Sequence, residues 1–354
     1  MDFGIPKEFW ELENRVGLTP AGVFSLTRRG HTVYIEHDSG QGAHFSDLDY
    51  QEVGGTIVYS SAEAYGRADV VIKVSRPLEP EYELLRPGQK ILSFLHLAVA
   101  PPELSLAFSK LKITAIAYEL VKTPSGRHPV LNASSQVAGR LAPVIAGQLL
   151  ESTEGGRGIL LGGLPGVPPA AVAIIGAGVL GRNAALAFQG AGAQVTVLDR
   201  DVEQLELVDS EFRGKITTLI SNNYNLTRVV KFADVLIGAV LIPGQRTPVL
   251  LTRDLIAQMR QSAVFIDFSI DQGGCSETSR PTSLNDPTYT DQGVIHYAVP
   301  NIPARVARTA SYALTNATLR YLQIIADLGI EQALEANSDL MNGLEFLAGE
   351  RRSR

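Results

Sequence analysis

Residues 171–199 read AVAIIGAGVLGRNAALAFQGAGAQVTVLD, and this stretch constrains the fold more than any other part of the chain. The apolar run AVAII predicts a buried strand, and the glycines after it open a segment with helical periodicity. Gly176 permits a tight turn, Gly178 lets the backbone approach a pyrophosphate, and Gly181 allows the helix to pack closely on the strand. Asp199 ends the next predicted strand, where its carboxylate would accept hydrogen bonds from ribose hydroxyls. This combination predicts a dinucleotide-binding unit, and a glycine-rich turn between packed elements is the alternative.

The acid at position 199 also bears on which dinucleotide binds. A carboxylate there would repel a 2′-phosphate, which favours NAD over NADP. Arg200 follows directly and softens that preference, because a guanidinium is well suited to binding phosphate. We therefore expect NAD as the cofactor.

Length and composition set the outer limits for the rest of the chain. A chain of 354 residues exceeds the usual size of one hydrophobic core, so two domains are expected. With 19% charged residues and a formal net charge of −6, the composition indicates no polyanion-binding surface, and nucleic acid is not expected as a partner. Cys275 is the only cysteine, which excludes an internal disulfide, and the N-terminus lacks the pattern of a signal sequence. These features predict a cytoplasmic protein.

One stretch imitates a membrane span. Residues 158–181 are uncharged over more than the length that a bilayer requires. Pro165, Pro168 and Pro169 would break a helix in its middle, so the stretch is predicted to form a loop, a short strand and a glycine turn. No membrane partner is expected.

Short β-rich runs alternate with helix-like segments along the chain, which is typical of a parallel α/β fold. We predict two doubly wound, Rossmann-like domains with the active site in the cleft between them. The substrate domain would span residues 1–134 and about 308–354, because a helix predicted over 308–326 returns to it, and the NAD-binding domain would span 135–307. The basic tail ERRSR is expected to be frayed. The predicted strands are DFGI, TVYIE, DVVIKV, KILSFL and ITAIAYE in the first series, and AVAII, AQVTVLD, KITTLI, ADVLIGAV, AVFIDFS and VIHYAV in the second.

Polar side chains at the carboxyl ends of strands are the catalytic candidates, because open α/β sheets bind their ligands there. In the first series Arg15 follows the first strand, Lys73 ends DVVIK and His96 ends ILSFL. In the second series Asp271 follows VFIDFSI and Asn301 follows IHYAVP. A cation, an imidazole and a carboxylate beside a nicotinamide would suit hydride transfer coupled to proton transfer.

Each of these candidates has an alternative interpretation. Arg15 could tie a loop to a neighbouring acid, although a guanidinium fork also matches a substrate carboxylate. His96 could be a buried, satisfied histidine of the apolar run FLHLA, and Asp271 could cap the turn IDQGG. Cys275 is expected to be structural, because nothing near it in the sequence predicts a thiolate. No metal-binding cluster is indicated.

Taken together, many short strings resemble the alanine dehydrogenase family, which is related to the NAD-binding part of nicotinamide nucleotide transhydrogenase. The resemblance runs over nearly the whole chain and in one order. The strings are GIPKE, NRVGLTPAGV, LTRRGH, FLHLA, SQVAGR, GGRGILLGGLPGV, the glycine fingerprint, IGAVLIPG, IDQGGC, TSRPT and ALTNAT.

This resemblance implies a two-domain NAD enzyme that interconverts an L-amino acid with its 2-oxo acid and ammonia. Members are often hexameric, so a homo-oligomer, either a hexamer or a dimer, is expected. Arg15 would hold the substrate carboxylate, His96 would be the acid/base, and Asp271 would assist it. The implied cofactor-binding residues are Ser135, Gly176, Gly178, Gly181, Asp199, Ser221, Val240, Leu241, Ile270, Arg280 and Asn301.

The departures from the family pattern are concentrated at the substrate. The family carries K-x-K-E-P where this chain has KVSRP, so the second lysine, which touches the substrate, is Ser75 here. A lining methionine is replaced by Ser134, and Ile302 follows Asn301 where the family has methionine. Losing one charge-assisted hydrogen bond costs about 1.5 to 3 kcal/mol, which is roughly ten- to more than a hundredfold in binding or rate.

We hypothesise an altered choice of amino acid or imine substrate with the hydride chemistry retained. Lys73 shares a strand face with Ser75 in an extended strand, so it could reach part of the vacated space. Two other classes remain open: a regulatory protein that senses NAD without turnover, and a transhydrogenase-like subunit.

Overall fold

The computed structural model describes residues 1–352, which form two compact units. The first unit contains Met1–Ser134 together with the C-terminal residues from Pro303 onward, and the second contains Ser135–Ile302. The first boundary lies inside a long helix, and the second lies just before the chain's longest helix, near the predicted position 307/308.

The strands form two sheets, one in each unit. The first sheet has eight strands and the second has seven. In chain order the strands are β1 (Asp2–Ile5), β2 (Thr32–Glu36), β3 (Thr56–Val58), β4 (Val70–Ser75), β5 (Lys90–Phe94), β6 (Thr114–Ala117), β7 (Ala171–Ile175), β8 (Gln194–Asp199), β9 (Thr217–Ile220), β10 (Val235–Gly238), β11 (Val264–Asp267), β12 (Thr288–Asp291), β13 (Val294–Tyr297), β14 (Leu344–Leu347) and β15 (Glu350–Arg351).

The helices connect these strands, and short 3₁₀ turns occupy several strand ends. In chain order the α-helices are α1 (Pro20–Thr27), α2 (Asp47–Glu52), α3 (Ser61–Arg67), α4 (Glu79–Tyr82), α5 (Pro102–Lys110), α6 (Pro129–Leu149), α7 (Val179–Gly190), α8 (Val202–Phe212), α9 (Asn223–Phe232), α10 (Arg253–Ile256), α11 (Ala307–Leu328), α12 (Ile330–Ala336) and α13 (Ser338–Gly343).

Both sheets have the same doubly wound order. The first runs β15-β14-β6-β5-β4-β1-β2-β3, and the second runs β12-β13-β11-β10-β7-β8-β9. Neighbours are parallel in six consecutive strands of each sheet, from β6 to β3 in the first and from β13 to β9 in the second, so the carboxyl ends of these strands lie along one edge. The strand order reverses between β1 and β4 in the first sheet and between β7 and β10 in the second. Doubly wound sheets bind ligands at such reversals, so these two crevices are where a site is expected.

The inner parallel strands are buried because helices cover the sheet, which explains their apolar sequences. Every residue of β4, β6, β10 and β11 is buried. In the first unit α11 is fixed to the loop after β1: the Val16 N–H donates to Ser311 Oγ at 3.1 Å, and the Thr19 N–H donates to Thr315 Oγ1 at 3.0 Å. This contact holds the segment that carries Arg15.

The structure confirms the predicted α/β class and adds elements that the sequence did not indicate. The uncharged stretch 158–181 forms a loop, strand β7 and a glycine turn, and the described residues contain no helix long and apolar enough to cross a bilayer. Part of the C-terminal tail that was expected to be frayed is ordered. Glu350 and Arg351 form β15 and pair antiparallel with β14, whereas the last two residues lie outside the described part of the chain.

Candidate active site

The glycine turn of the second unit forms the cradle that the sequence predicts. Gly176 follows β7 with φ +110°, and a Cβ there would lie 2.4 Å from the carbonyl oxygen of Ala239. A Cβ at Gly181 would lie 1.8 Å from the carbonyl oxygen of Gly176. At Gly178, the residue before α7, an added Cβ would meet nothing within 4 Å, so the backbone borders open space at a helix N-terminus. Helix N-termini of this kind favour anions such as a pyrophosphate.

A cavity of about 360 Å³ lies against this turn. It occupies the carboxyl-edge crevice between β7 and β10, and the end of β8 forms another wall. Asp199 there accepts hydrogen bonds from the N–H groups of Ala177 at 2.7 Å and Asp201 at 3.0 Å, so the acid is fixed to the turn. Six of the predicted cofactor residues line the cavity: Gly176, Gly178, Asp199, Ser221, Val240 and Leu241.

A larger cavity of about 870 Å³ lies elsewhere in the second unit. Its lining includes Ala171, Gln194 and Thr217, which are the first residues of β7, β8 and β9. It therefore opens at the amino ends of the strands. Ligand sites of open α/β sheets lie at the carboxyl ends, so we take the smaller cavity as the cofactor candidate.

The loop after β11 carries the predicted carboxylate Asp271 in a 3₁₀ turn, Phe268–Gln272. Asp267, fully buried at the strand end, accepts from the N–H groups of Ser269 and Cys275, both at 2.9 Å, and from Ser279 Oγ at 2.5 Å. Burial raises the pKa of Asp267, and these hydrogen bonds oppose that effect. The sequence analysis missed Asp267, whose signal is a charged residue inside the apolar run VFIDF.

Asp271 itself accepts a hydrogen bond from the Asn301 N–H at 3.0 Å, with Asn301 in a left-handed backbone conformation at φ +55°. The two predicted residues of the second unit are thus brought together. Burial raises the pKa of the Cys275 thiol, which agrees with the structural role expected for it.

Other predicted residues of the second unit lie outside the cavity lining. Ser135 is on α6, next to Ser134 of the first unit, and both are half-buried. Ile270 is buried in the loop after β11. Arg280 is exposed, with its guanidinium carbon 4.0 Å from the ring centre of Tyr289.

In the first unit, His96 follows β5 in a left-handed conformation, φ +45°, which is unusual for a residue other than glycine. The side chain of Glu119, from the 3₁₀ turn after the neighbouring strand β6, holds it there. Its carboxylate accepts from the His96 N–H at 2.7 Å and from the Leu95 N–H at 3.2 Å. Phe94 stacks on the imidazole with ring centres 5.9 Å apart. Within the described part of the chain, Nδ1 of His96 is buried and lacks a hydrogen-bond partner. Buried polar atoms normally have such a partner, and a bound ligand would supply one.

Glu119 was missed by the sequence analysis, and its role can be tested. Glu119→Gln leaves one acceptor oxygen for two N–H groups, so we expect at least about a tenfold fall in kcat with unchanged NADH affinity. If Glu119 acts only by positioning His96, the same change should cost no further activity in a His96→Asn background. Steady-state kinetics on the parent, the two single variants and the double variant measure this double-mutant cycle. Losses of activation free energy that are fully additive in the double variant would contradict the positioning role.

Arg15 lies in the loop after β1, close to the end of β4. Its guanidinium makes a two-pronged contact with Glu13, Nε to Oε1 at 2.7 Å and Nη2 to Oε2 at 2.6 Å. Ser75, the last residue of β4, donates from Oγ to Oε2 of the same carboxylate at 3.2 Å. Arg15 and Ser75 are thus gathered on Glu13 at the β1/β4 crevice, and all three side chains are buried. Glu13 was not predicted, although it directly precedes the quoted string NRVGLTPAGV.

Lys73 takes a different direction from Ser75. Its Nζ is completely buried, 3.0 Å from Glu8 Oε2 and 2.8 Å from Glu81 Oε1. The β4–β5 register shifts between Ile72 and Ser75, which breaks the alternation assumed in the sequence analysis. This arrangement does not favour the predicted contact of Lys73 with substrate. Instead the two ion pairs raise the pKa of Lys73 against the effect of burial.

Glu8 interacts electrostatically both with Lys73 and with Glu13. Its carboxylate accepts a hydrogen bond from the Val74 N–H at 2.6 Å. Burial is the largest influence on the pKa of Glu8 and raises it. The nearby charges of Glu13 and Glu81 also raise this pKa, whereas Lys73 lowers it. A raised folded-state pKa means that proton uptake favours folding. The resulting contribution to the free energy of unfolding is complete below the ordinary carboxyl pKa, and it is lost as pH rises through the raised pKa of Glu8.

Glu8→Gln should remove this pH dependence. The parent carries the cost of a buried charge only at higher pH. The difference in Tm, variant minus parent, should therefore be more positive at about pH 8 than at about pH 5. Thermal unfolding at several pH values measures this, with the exposed Glu52→Gln as the control. A Tm difference that does not change with pH would contradict the raised pKa.

Comparisons with known proteins agree with this architecture. Two family models, alanine dehydrogenase/PNT N-terminal domain and alanine dehydrogenase/PNT C-terminal domain, match residues 4–138 and 142–354. The chain is 46% identical to alanine dehydrogenase of Methanococcus maripaludis over 350 residues, which cover 99% of this chain and 94% of the relative. It is also 46% identical to alanine dehydrogenase of Mycobacterium tuberculosis over 349 residues, with the same coverage.

A solved L-alanine dehydrogenase structure is 44% identical, with a TM-score of 0.92 over 99% of this chain and 96% of that one. The transhydrogenase of Sinorhizobium meliloti is 22% identical, with a TM-score of 0.83 over 99% of this chain and 100% of that one, and this likeness shows the fold alone. On the strength of both family models and the full-length identity, the chain belongs to the alanine dehydrogenase/PNT family.

Proposed function

We propose that this protein is a NAD-dependent amino-acid dehydrogenase of the alanine dehydrogenase type. It would interconvert a 2-amino acid with its 2-oxo acid, or an imine, and ammonia. The observation that carries the proposal is His96: its left-handed backbone is held by a buried carboxylate at a strand end, and its ring nitrogen Nδ1 is buried without a hydrogen-bond partner among the described residues. Backbone strain of this kind is retained where function requires it.

The residues around the glycine turn fit a dinucleotide. Gly178 borders open space at the start of α7, and Asp199 stands at the end of β8 with its carboxylate on the turn. We propose that these residues, with Ser221, Val240 and Leu241, hold NAD, and that Ser135, Gly181, Ile270, Arg280 and Asn301 complete its environment. When bound, NAD would accept or supply a hydride.

The remaining steps belong to the chain's own residues. Arg15 binds the substrate carboxylate, because a guanidinium offers paired donors that match it. His96 exchanges the proton at Nδ1 with the substrate nitrogen or with the water that forms or hydrolyses the imine. We propose that Asp271 assists the proton transfer, and the Asn301 N–H fixes the orientation of that carboxylate.

We further propose that substrate preference is shifted away from alanine. Where a second cation would face the substrate carboxylate, this chain places Ser75, and its hydroxyl is already directed to Glu13. Lys73 supplies no replacement, since Glu8 and Glu81 hold its amine. Ser134 occupies a predicted lining position and is included in the proposed substrate site.

A direct assay tests this function. Purified protein is incubated with NADH, ammonia and single 2-oxo acids, and absorbance at the nicotinamide band is followed while products are identified by mass. We expect NADH consumption with an amino acid as product, and weaker activity on pyruvate than on the preferred substrate. Tight NADH binding without turnover on any 2-oxo acid would contradict the proposal and favour a sensor. Light scattering tests the homo-oligomer that we also propose.

A further inference from the structure

None of the residues assigned above to cofactor or substrate lines the cavity of about 870 Å³ at the amino ends of β7, β8 and β9. The strands give this cavity a polar floor, to which Gln194, Thr196 and Thr217 contribute. Thr196 and Thr217 are partners in the β8–β9 register, so they lie side by side. The loop 158–169 forms one wall, and helix α9 forms another. Small-molecule sites usually occupy about 300–1,000 Å³, so the cavity has room for an organic ligand.

The loop 158–169 presents exposed apolar side chains to this cavity. Hydrogen bonds fix its backbone: the Leu164 N–H donates to the Val167 carbonyl oxygen at 3.0 Å, and the Val167 N–H donates to the Leu164 carbonyl oxygen at 2.8 Å. Leu160, Leu164 and Val167 all line the cavity, and each is more than half exposed. Apolar side chains grouped in the open lining of a groove are typical of ligand and interaction sites.

Helix α9 provides a wall with both apolar and positive character. Arg228 and Phe232 line the cavity and are four residues apart, so they lie on one face of the helix. The guanidinium carbon of Arg228 lies 5.6 Å from the ring centre of Tyr224, and among the described residues Arg228 forms no salt bridge. The N–H donors of this guanidinium are therefore available to an anion.

Two further guanidiniums share one carboxylate at this cavity. Oδ1 of the buried Asp234 lies 2.9 Å from Arg260 Nη1 and 3.3 Å from Arg157 Nε, and Oδ2 accepts from the Ala171 N–H at 3.0 Å. The Arg260 side chain lines the cavity and is 42% exposed, so it has N–H donors left for a ligand. Within the described lining, Arg228 and Arg260 stand against the single carboxylate of Asp234, and Arg157 adds a third cation beside it. This excess of positive charge favours an anion.

We propose that this cavity binds an organic anion with an aliphatic body, namely a medium-chain carboxylate. Its chain lies against the loop 158–169 and Phe232, and its head group lies at Arg228 and Arg260. A second copy of this chain in a two-fold contact fits less well, because such a contact places the same surface on both sides and brings like charges together. The site is separate from the dehydrogenase function and does not depend on it.

Isothermal titration calorimetry on the full chain tests the proposal with octanoate as the probe. It is compared with 1-octanol, which lacks the charge, and with acetate, which lacks the aliphatic body. Octanoate should bind at least about tenfold more tightly than either. Losing a charge-assisted hydrogen bond costs about ten- to a hundredfold in affinity, and each buried methylene contributes about fourfold. Equal affinities for octanoate and 1-octanol, or no binding of octanoate, would overturn the proposal.

Two variants locate the ligand in this cavity. Arg228→Gln removes a guanidinium from the lining, and Leu160→Asp places a negative charge on the apolar wall, so each should weaken octanoate binding about tenfold or more. Both positions are exposed, so the fold should be retained. Lys231→Gln removes a positive charge from α9 outside the cavity lining and should keep the affinity within about threefold. Octanoate binding that is unchanged in both Arg228→Gln and Leu160→Asp would overturn the assignment.

NADH distinguishes this site from the cofactor cavity. The two cavities lie at opposite ends of β7 and β8, so saturating NADH should change octanoate affinity by less than about twofold. Competition between octanoate and NADH would overturn the assignment. Octanoate binding without NADH binding would support this site and count against the dehydrogenase alone.

Light scattering tests whether a second copy of the chain covers the cavity instead. A parent that does not bind octanoate, and whose oligomer dissociates in Leu160→Asp, would overturn the proposal in favour of a contact between copies. Octanoate binding by the parent, with the same molar mass in the parent and in Leu160→Asp, would support the small anion.

Discussion

Replacing Gly181 by alanine should abolish NADH binding, or weaken it at least tenfold, and destabilise the second unit. The new Cβ would lie 1.8 Å from the Gly176 carbonyl oxygen, an overlap with backbone that no side-chain rotation can relieve. Helix α7 must therefore move away from the glycine turn, and overpacking of this kind typically costs about 1–3 kcal/mol. Fluorescence titration with NADH and chemical denaturation measure the two effects.

The same helix provides the control. Gly190 is the last residue of α7, and a Cβ there would meet nothing within 4 Å. Gly190→Ala should therefore keep NADH affinity within about twofold and slightly raise stability, since alanine favours helix more than glycine does. Equal NADH affinity in the Gly181→Ala and Gly190→Ala variants would mean that the cofactor does not bind at this turn.

Replacing His96 by asparagine should lower kcat by about 10²- to 10⁴-fold, the usual contribution of general acid–base catalysis. Asparagine is chosen because it tolerates the left-handed conformation observed at this position, φ +45°. The backbone and the two hydrogen bonds to Glu119 should therefore persist, and only proton transfer is removed. NADH affinity and Tm should change little.

His37, an exposed histidine of the first unit, is a suitable comparison. His37→Gln changes a surface ion pair with Asp47 and should leave kcat unchanged. A fall in kcat of less than about threefold in His96→Asn would show that another group carries the proton. Loss of NADH binding in that variant would instead point to a structural role for His96.

The fold was largely predictable because most strands are continuous apolar runs bounded by turn residues. Strands β1, β2 and β7 begin and end at the predicted residues, since glycine, proline or charged residues delimit them. The strands β3, β12, β14 and β15 were not predicted. They are short, and β14 is defined by pairing with β6, which lies more than 200 residues earlier in the chain. The local sequence of β14 does not indicate that it pairs with β6.

The glycine turn and the strand-end residues of the candidate site were predictable, whereas the buried carboxylates that hold them were not. The glycine turn and Asp199 follow a known spacing, and the cavity lies where that spacing places it. Glu8, Glu13 and Glu119 had no such spacing, because their importance comes from contacts with distant backbone and side chains. Glu119 did leave one signal, a charged residue in the apolar run AIAYELV. A side chain of that type is buried only when it is paired or hydrogen-bonded.

Lys73 illustrates the limit of strand periodicity. Alternation places residues 73 and 75 on one face, yet the lysine amine lies between Glu8 and Glu81 and the serine hydroxyl donates to Glu13. Two positions that look equivalent in sequence therefore have different partners. The partners of these two side chains could be found only from coordinates.

The most direct test of the central claim follows the transferred hydrogen. NADH carrying deuterium at both C4 positions is incubated with the protein, ammonia and a mixed pool of 2-oxo acids that includes pyruvate, and the products are separated by mass. The account predicts a 2-amino acid with one deuterium at Cα. NADH that remains fully deuterated and unconsumed beside every 2-oxo acid, although the protein binds it, would contradict the account.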